Sequence, residues 1–140
     1  MTDKLYTIAF TTRNLIPVED IADEMHSIIE KACKNNQKRN ITGALLLSEG
    51  VFLHILEGEH DALYELMGEI NKDTRHDDGQ LLLEKPIAER GFEGYRMEYY
   101  NLQDPKKISL ERLQLLSKGI QTNKLYKDPV ILKFYNAIIQ

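Results

Sequence analysis

His54 is a lone imidazole inside an apolar run, Val51 to Leu56. A buried imidazole must find hydrogen-bond partners or a ligand to offset its lost hydration, and its neutral form offers one donor and one acceptor. Spacing alone favours a satisfied core histidine over a ligand contact. The neighbouring amides of Asn35 and Asn36 can each donate and accept, which suits reading the edge of a polar heterocycle at the mouth of a cleft. Asparagine just past a helix is also a common cap, and spacing favours the cap. Arg75-His76 is a pair fit for a phosphate, although solvated loop residues look the same. His76 with Asp73, Asp77 and Asp78 offers ligands to a divalent cation, but the spacing matches no known loop geometry. No nucleophile elbow, glycine-rich phosphate loop or His-Glu-x-x-His arrangement occurs, so no reaction is named and the chain reads as a non-enzyme.

The elements that must position these groups centre on Asn35 to Glu59. Ile41 to Leu47 and Val51 to Leu56 are apolar runs of strand length, separated by Ser48-Glu49-Gly50, and together they predict a hairpin. Neither run alternates with polar residues, which places the hairpin inside a sheet with both faces covered. Leu5 to Thr12 is rich in β-branched and aromatic residues and predicts a first strand. Val18, Ile21, Met25, Ile28 and Ala32 recur at helical spacing after Pro17, predicting a helix that ends near Cys33. Leu63, Leu66, Met67 and Ile70 predict a second helix from about Asp61 to Lys72. Asp73 to Gly79 reads as a polar loop, Gln80 to Leu83 as a strand with Pro86 marking a break or an edge, and Met97 to Asn101 as a fifth strand.

This β-α-β-β-α-β-β order implies an α+β, ferredoxin-like sandwich: a five-stranded mixed sheet with both helices on one face. Two amphipathic helices follow, one carrying Leu110 to Ile120 and the other Val130 to Ile138, with a turn region from Gly119 to Pro129 between them. They are expected to cover the other face. The division is thus a domain at 1–103 and a helical extension at 104–140.

A chain of 140 residues fits one compact domain, and 42% hydrophobic with 29% charged residues is ordinary for a globular protein. No apolar run approaches the roughly 20 residues that span a bilayer, and no signal-peptide pattern is visible. Cys33 is the only cysteine, which makes a reducing, cytoplasmic setting the default and a buried structural thiol its expected role. A net charge of −4 argues against direct nucleic-acid binding. The charge is uneven: about +5 from Lys106 onward and about −9 before it.

The stretches KNNQKRNITGALLLSEGVFLHILEGE, NKDTRHDDGQ, EKPIAER and GFEGYRM, within about residues 4 to 100, resemble the BLUF domains, bacterial blue-light sensors that use FAD. The resemblance implies a flavin slot between the two helices, over the central strands. Asn35 and Asn36 match residues that hydrogen-bond the flavin ring, Ile28 and Ile70 those that sandwich it. Arg75 and His76 match a pair near the ribityl-phosphate end. Met97 matches the methionine of the last strand close to the flavin, and Tyr95 stands where many members have tryptophan. Output through the C-terminal helices to a protein partner, and assembly as a homo-oligomer, are implied as well.

The departures fall on the photochemistry. Phe10 and His54 occupy the flavin-contacting positions where the family carries its photoactive tyrosine and glutamine, and Glu69 stands where a close pattern carries arginine. Phenylalanine has no hydroxyl, so the ordinary photocycle is expected to fail. Tyr6 shares the strand face of Phe10, but a substitute role would need an altered flavin pose. A flavin-free, light-independent interaction module is the alternative expectation.

Overall fold

The computed structural model describes residues 4–138; the outer ends of the two expected units, 1–3 and 139–140, lie outside the described residues. Five strands, β1 (Leu5–Asn14), β2 (Thr42–Ser48), β3 (Val51–Glu59), β4 (His76–Pro86) and β5 (Glu98–Asn101), form one sheet in the order β4-β1-β3-β2-β5. Antiparallel pairing joins β4, β1, β3 and β2, and β5 runs parallel to β2. The expected ferredoxin-like order is therefore present, with the β2–β3 hairpin inside the sheet. Its turn is Glu49-Gly50, both at positive φ (50° and 78°), as the right-handed twist of a tight hairpin requires.

Because side chains alternate across a strand, the central strands feed two separate cores. On one side Ile8, Phe10, Leu45, Leu47, Phe52 and Leu56 pack beneath α1 (Ile21–Lys38) and α2 (His60–Asn71), through Met25, Leu63 and Leu66. On the other, Ala9, Ala44, Leu46, Leu53 and Ile55 lie beneath Leu116 and Ile120 of α3 (Leu110–Thr122) and Ile131, Phe134 and Ile138 of α4 (Pro129–Ile138).

Four local expectations are corrected. α1 does not stop near Cys33: Gln37 and Lys38 continue the helix, and the stop comes at Asn40, in left-handed conformation (φ 53°), after the Arg39 N–H closes on Asn35 O. Asn35 and Asn36 are thus in the last turns, not past them. β4 begins at His76, inside the stretch expected to be loop, because β1 reaches Asn14 and pairs Arg13 with Asp77 and Asn14 with His76. Long-range pairing, reinforced by the two hydrogen bonds of the Arg13 guanidinium to the Asp77 carboxylate, overrides local turn composition. Gly119, assigned to a turn, is buried inside α3.

Finally, β3 runs past Leu56 to Glu59 and carries a second buried polar side chain. Glu57 is fully buried and accepts hydrogen bonds from Thr42 Oγ1 (2.9 Å), Gly91 N–H (2.6 Å) and Phe92 N–H (2.9 Å). Burial pushes its carboxyl above the ordinary value, and these donors partly offset that. The carboxylate pins the segment between β4 and β5 over the second core, where Phe92 packs against α3 at Gly119. A methyl group at Gly119 would collide with the Phe92 ring. Gly119→Ala is expected to lower stability by about 1–3 kcal/mol, read as a reduced urea midpoint at unchanged m-value.

Candidate functional site

α1 and α2 lie side by side over β1, β3 and β2 and leave a slot between them. Its deeper part, about 80 Å³, is lined by Ile28 and Ile29 of α1, Ile70 of α2, Leu45, Phe52 and His54 of the sheet, and Asp73, Arg75, His76 and Met97 at its ends. A neighbouring part of about 130 Å³ is lined by Asn35, Asn36, Lys31, Leu66 and Glu69. Ile28, Ala32, Ile70, Asp73, Arg75 and Met97 line both.

Eight of the nine site residues expected from the sequence therefore converge on one slot. Phe10 is the exception: it lines neither part, its ring instead stacked on His54 with centroids 4.4 Å apart and planes within 6°. Tyr6 packs instead on His60, at 5.1 Å between ring centroids. Four residues separate it from Phe10, roughly 13 Å along the strand, too far to take that place.

His54 and Phe10 are directly opposite across β1 and β3, which is why their rings meet. His54 Nε2 shares a hydrogen bond of 2.9 Å with Thr12 Oγ1, on the same strand face. Burial, with a smaller contribution from the nearby His76, lowers the His54 pKa to about 3. The ring is neutral, one nitrogen engaged by Thr12. His76 is also lowered, chiefly by burial, and sits edge-on to His54 at 5.8 Å.

Asn36 is fully buried, and its Nδ2 donates to Arg96 O at 2.6 Å, while its Oδ1 is buried with no partner. An orphaned acceptor of this kind costs about 1–3 kcal/mol unless a ligand supplies a donor. Cys33, one turn earlier, is half-buried rather than buried; its Sγ lies 3.8 Å from Met97 O, and burial raises its pKa. Arg75, which lines both parts of the slot, is tied in place. It donates from Nε to Asp73 Oδ1 (2.9 Å) and from Nη2 to Asp73 Oδ2 (2.5 Å), and from Nη1 to Glu24 Oε2 of α1 (3.3 Å). The Arg75 bonds hold the Asp73 carboxyl down at about 2. Glu69 faces Arg39, which also donates to Glu65.

Thr12 and Glu24 were not legible as site residues, and Asp73 only as a cation ligand beside His76. Asp73 had a local signal, an aspartate two residues before Arg75 whose Oδ1 also accepts the Arg75 N–H. Thr12 and Glu24 had none, being 42 and 51 positions from their partners. The residues match a planar heteroaromatic group in chemistry: apolar walls from Ile28 and Ile70, an unpartnered acceptor at one edge, and the Arg75 cation where the two parts meet.

Fold and slot together define a ferredoxin-like α+β module with a ligand site between its paired helices. Residues 5–98 match the family described as BLUF, sensors of blue-light using FAD, and the chain belongs to that family. The chain is 32% identical over 88 residues to photoactivated adenylate cyclase subunit beta of Euglena longa, covering 63% of itself and 10% of that protein. It thus spans about a tenth of the length of the curated relatives it matches. The dark-state structure of the BLUF protein BlrB superposes with a TM-score of 0.72 at 21% identity, over 99% of this chain and 97% of that one. A bacterial light-regulated adenylyl cyclase superposes with a TM-score of 0.65 at 28% identity, over 93% of this chain but 36% of that one. In the cyclase, a domain like this one is part of a larger protein. No described helix here is long and apolar enough to cross a membrane.

The depressed His54 pKa sets a pH dependence. Between the unfolded value of about 6.5 and the folded value of about 3 the unfolded chain binds a proton that the folded chain does not. Stability contributed by this group is therefore full above about pH 6.5 and falls on acidification, by up to about 1.36 kcal/mol per pH unit. NMR is expected to show no titration of the His54 ring between about pH 8 and 5, and His54→Phe is expected to flatten the pH dependence of the urea midpoint.

Proposed function

We propose that this chain is an FAD-binding sensor of the BLUF family that signals without the family's ordinary photocycle and is not itself an enzyme. The observation that carries the reading is the buried, partnerless Asn36 Oδ1 at the slot edge. Asn35 and Asn36 would hold the polar edge of the ring, Ile28 and Ile70 its faces, and Arg75 and His76 the phosphate end, with Met97 beside it. Bound there, a flavin supplies blue-light absorption and a photoexcited oxidant. Phe10 has no hydroxyl to give a proton and is far harder to oxidise than a tyrosine. His54 stays neutral with one ring nitrogen held by Thr12, and it lacks the amide whose hydrogen bonding changes in the family's photocycle.

The sensing unit is residues 1–103 and the output element 104–140, whose α3 and α4 act on a protein partner in a homo-oligomer. Support for this comes from the packing of α3 and α4 on the sheet face opposite the slot and from their net positive charge. The single cysteine supports a cytoplasmic setting.

A second reading, a flavin-free interaction module, has its own observation. The slot is divided into parts of about 80 and 130 Å³, below the roughly 300 Å³ of small-molecule sites, with Arg75 braced across it.

An absorption spectrum taken before and after blue light, with and without excess FAD, separates the two. Flavin bands with no light-induced red shift are expected; a reversible red shift in the unaltered chain overturns the impaired photocycle, and a protein colourless even after reconstitution supports the second reading. In the Phe10→Tyr/His54→Gln double variant the red shift is expected to appear.

A further inference from the structure

Among the described residues the Thr12 hydroxyl has one hydrogen-bond partner, His54 Nε2 at 2.9 Å. Thr12 is 1% exposed, so bulk water does not supply another. Its neighbours on that sheet face are Phe52, directly opposite on β3, and Phe10, two residues earlier on β1, and neither ring offers a lone pair. A hydroxyl whose single acceptor is an imidazole nitrogen donates to it, and a nitrogen that accepts carries no proton of its own. The β-branched Thr12 side chain is stiff at χ1, which keeps the hydroxyl in place. His54 is neutral, so its one N–H is then at Nδ1. His76 stands edge-on to this ring at 5.8 Å between centroids without bonding it, and the His54 ring lines the slot.

We propose that Thr12 is a positioning residue: it holds the His54 proton on Nδ1, which makes the imidazole a fixed hydrogen-bond donor to a group in the slot and suits it to oxidised rather than reduced flavin. The preference between flavin states rests on the flavin reading above; the place of the proton does not. With the proton on Nε2 instead, the Thr12 hydroxyl would be buried with no acceptor, which disfavours that tautomer by about tenfold or more. This outweighs the small intrinsic preference of a free histidine side chain for a proton on Nε2. An oxidised flavin ring presents bare nitrogens and carbonyl oxygens, all acceptors apart from N3–H. Two-electron reduction turns N5 from an acceptor into an N–H. A histidine free to move its proton could answer that change by becoming an acceptor, and one held by Thr12 cannot.

The test is a long-range proton–nitrogen correlation spectrum of the isotope-labelled full chain, which separates a protonated ring nitrogen from a bare one; His54 is assigned by its disappearance in His54→Phe. A bare Nε2 and a protonated Nδ1 are expected, and Thr12→Ser should retain them. In Thr12→Val the Nε2–H form is expected to gain severalfold or more. A proton on Nε2 in the unaltered chain, or a tautomer unmoved by Thr12→Val, overturns the role of Thr12 whether or not flavin binds. The midpoint potential of FAD in the presence and absence of protein then gives the ratio of its affinities in the two states. Oxidised FAD is expected to bind about tenfold tighter than reduced FAD to the unaltered chain and to Thr12→Ser, with the ratio falling toward one in Thr12→Val. Equal affinities in the unaltered chain overturn the preference between flavin states while leaving the flavin reading intact. If FAD binds in neither state, the flavin reading and that preference fail together, and the spectrum alone decides the role of Thr12. Should Thr12→Val fail to fold, the spectrum of the unaltered chain still decides it.

Discussion

The antiparallel pairing of β1 with β3 is the constraint on which the rest of the structure depends. Both strands are covered on both faces, and Ile8, Ala9, Leu53, Ile55 and Leu56 are without solvent exposure. With side chains alternating at a period of two, a slip of one residue would send each set to the wrong core. The register is consequently held from both sides at once. It puts Phe10 against His54 and Thr12 within reach of the imidazole, so the floor of the slot follows from the sheet rather than from any local motif.

Buried polar groups mark where this framework has work other than packing. Thr7 donates to Leu56 O, Thr12 pairs with His54, and Thr42 and Glu57 bond each other. Each of these is answered within the protein, as burial demands. Among the described residues two buried side-chain atoms have no partner, Asn36 Oδ1 and the Tyr99 hydroxyl. Burial raises the Tyr99 hydroxyl to about 12, which keeps it protonated. Asn36 differs in lining the slot.

The segment between β4 and β5 joins the two cores. Glu57 holds it at Gly91 and Phe92, over the core beneath α3 and α4. Further on, Tyr95 O accepts from the Gly43 N–H and Arg96 O from Asn36 Nδ2. One short stretch therefore touches the slot through Asn36 and the C-terminal helices through the packing of Phe92 on Gly119. Arg112 of α3 adds a second tie, donating to Tyr99 O at 2.7 Å beside the Tyr100 ring. A change at the Asn36 end has a packed route to α3.

The strands, both long helices, the hairpin turn and the amphipathic C-terminal helices were readable in the sequence, because each is set by local periodicity and turn chemistry. The resemblance of a few motifs was enough to bring His54, Asn35, Asn36, Arg75, His76 and Met97 to one place. What failed was local reading wherever a distant partner decides. The acidic stretch from Asp73 looks like a loop by composition, yet becomes strand from His76 because β1 supplies a partner more than 60 residues away. Helix α1 passes the Asn pair because the left-handed stop is at Asn40, and Gly119 sits in a helix because Phe92 needs a surface without a side chain. The sequence by itself determined the fold class and the chemical types available to the site. Only the tertiary structure decided their state: that His54 is neutral and tied to Thr12, that Asn36 keeps a free acceptor, and that Arg75 is braced by Glu24. Those depend on burial and on charges brought together by folding, and neither is encoded at any single position.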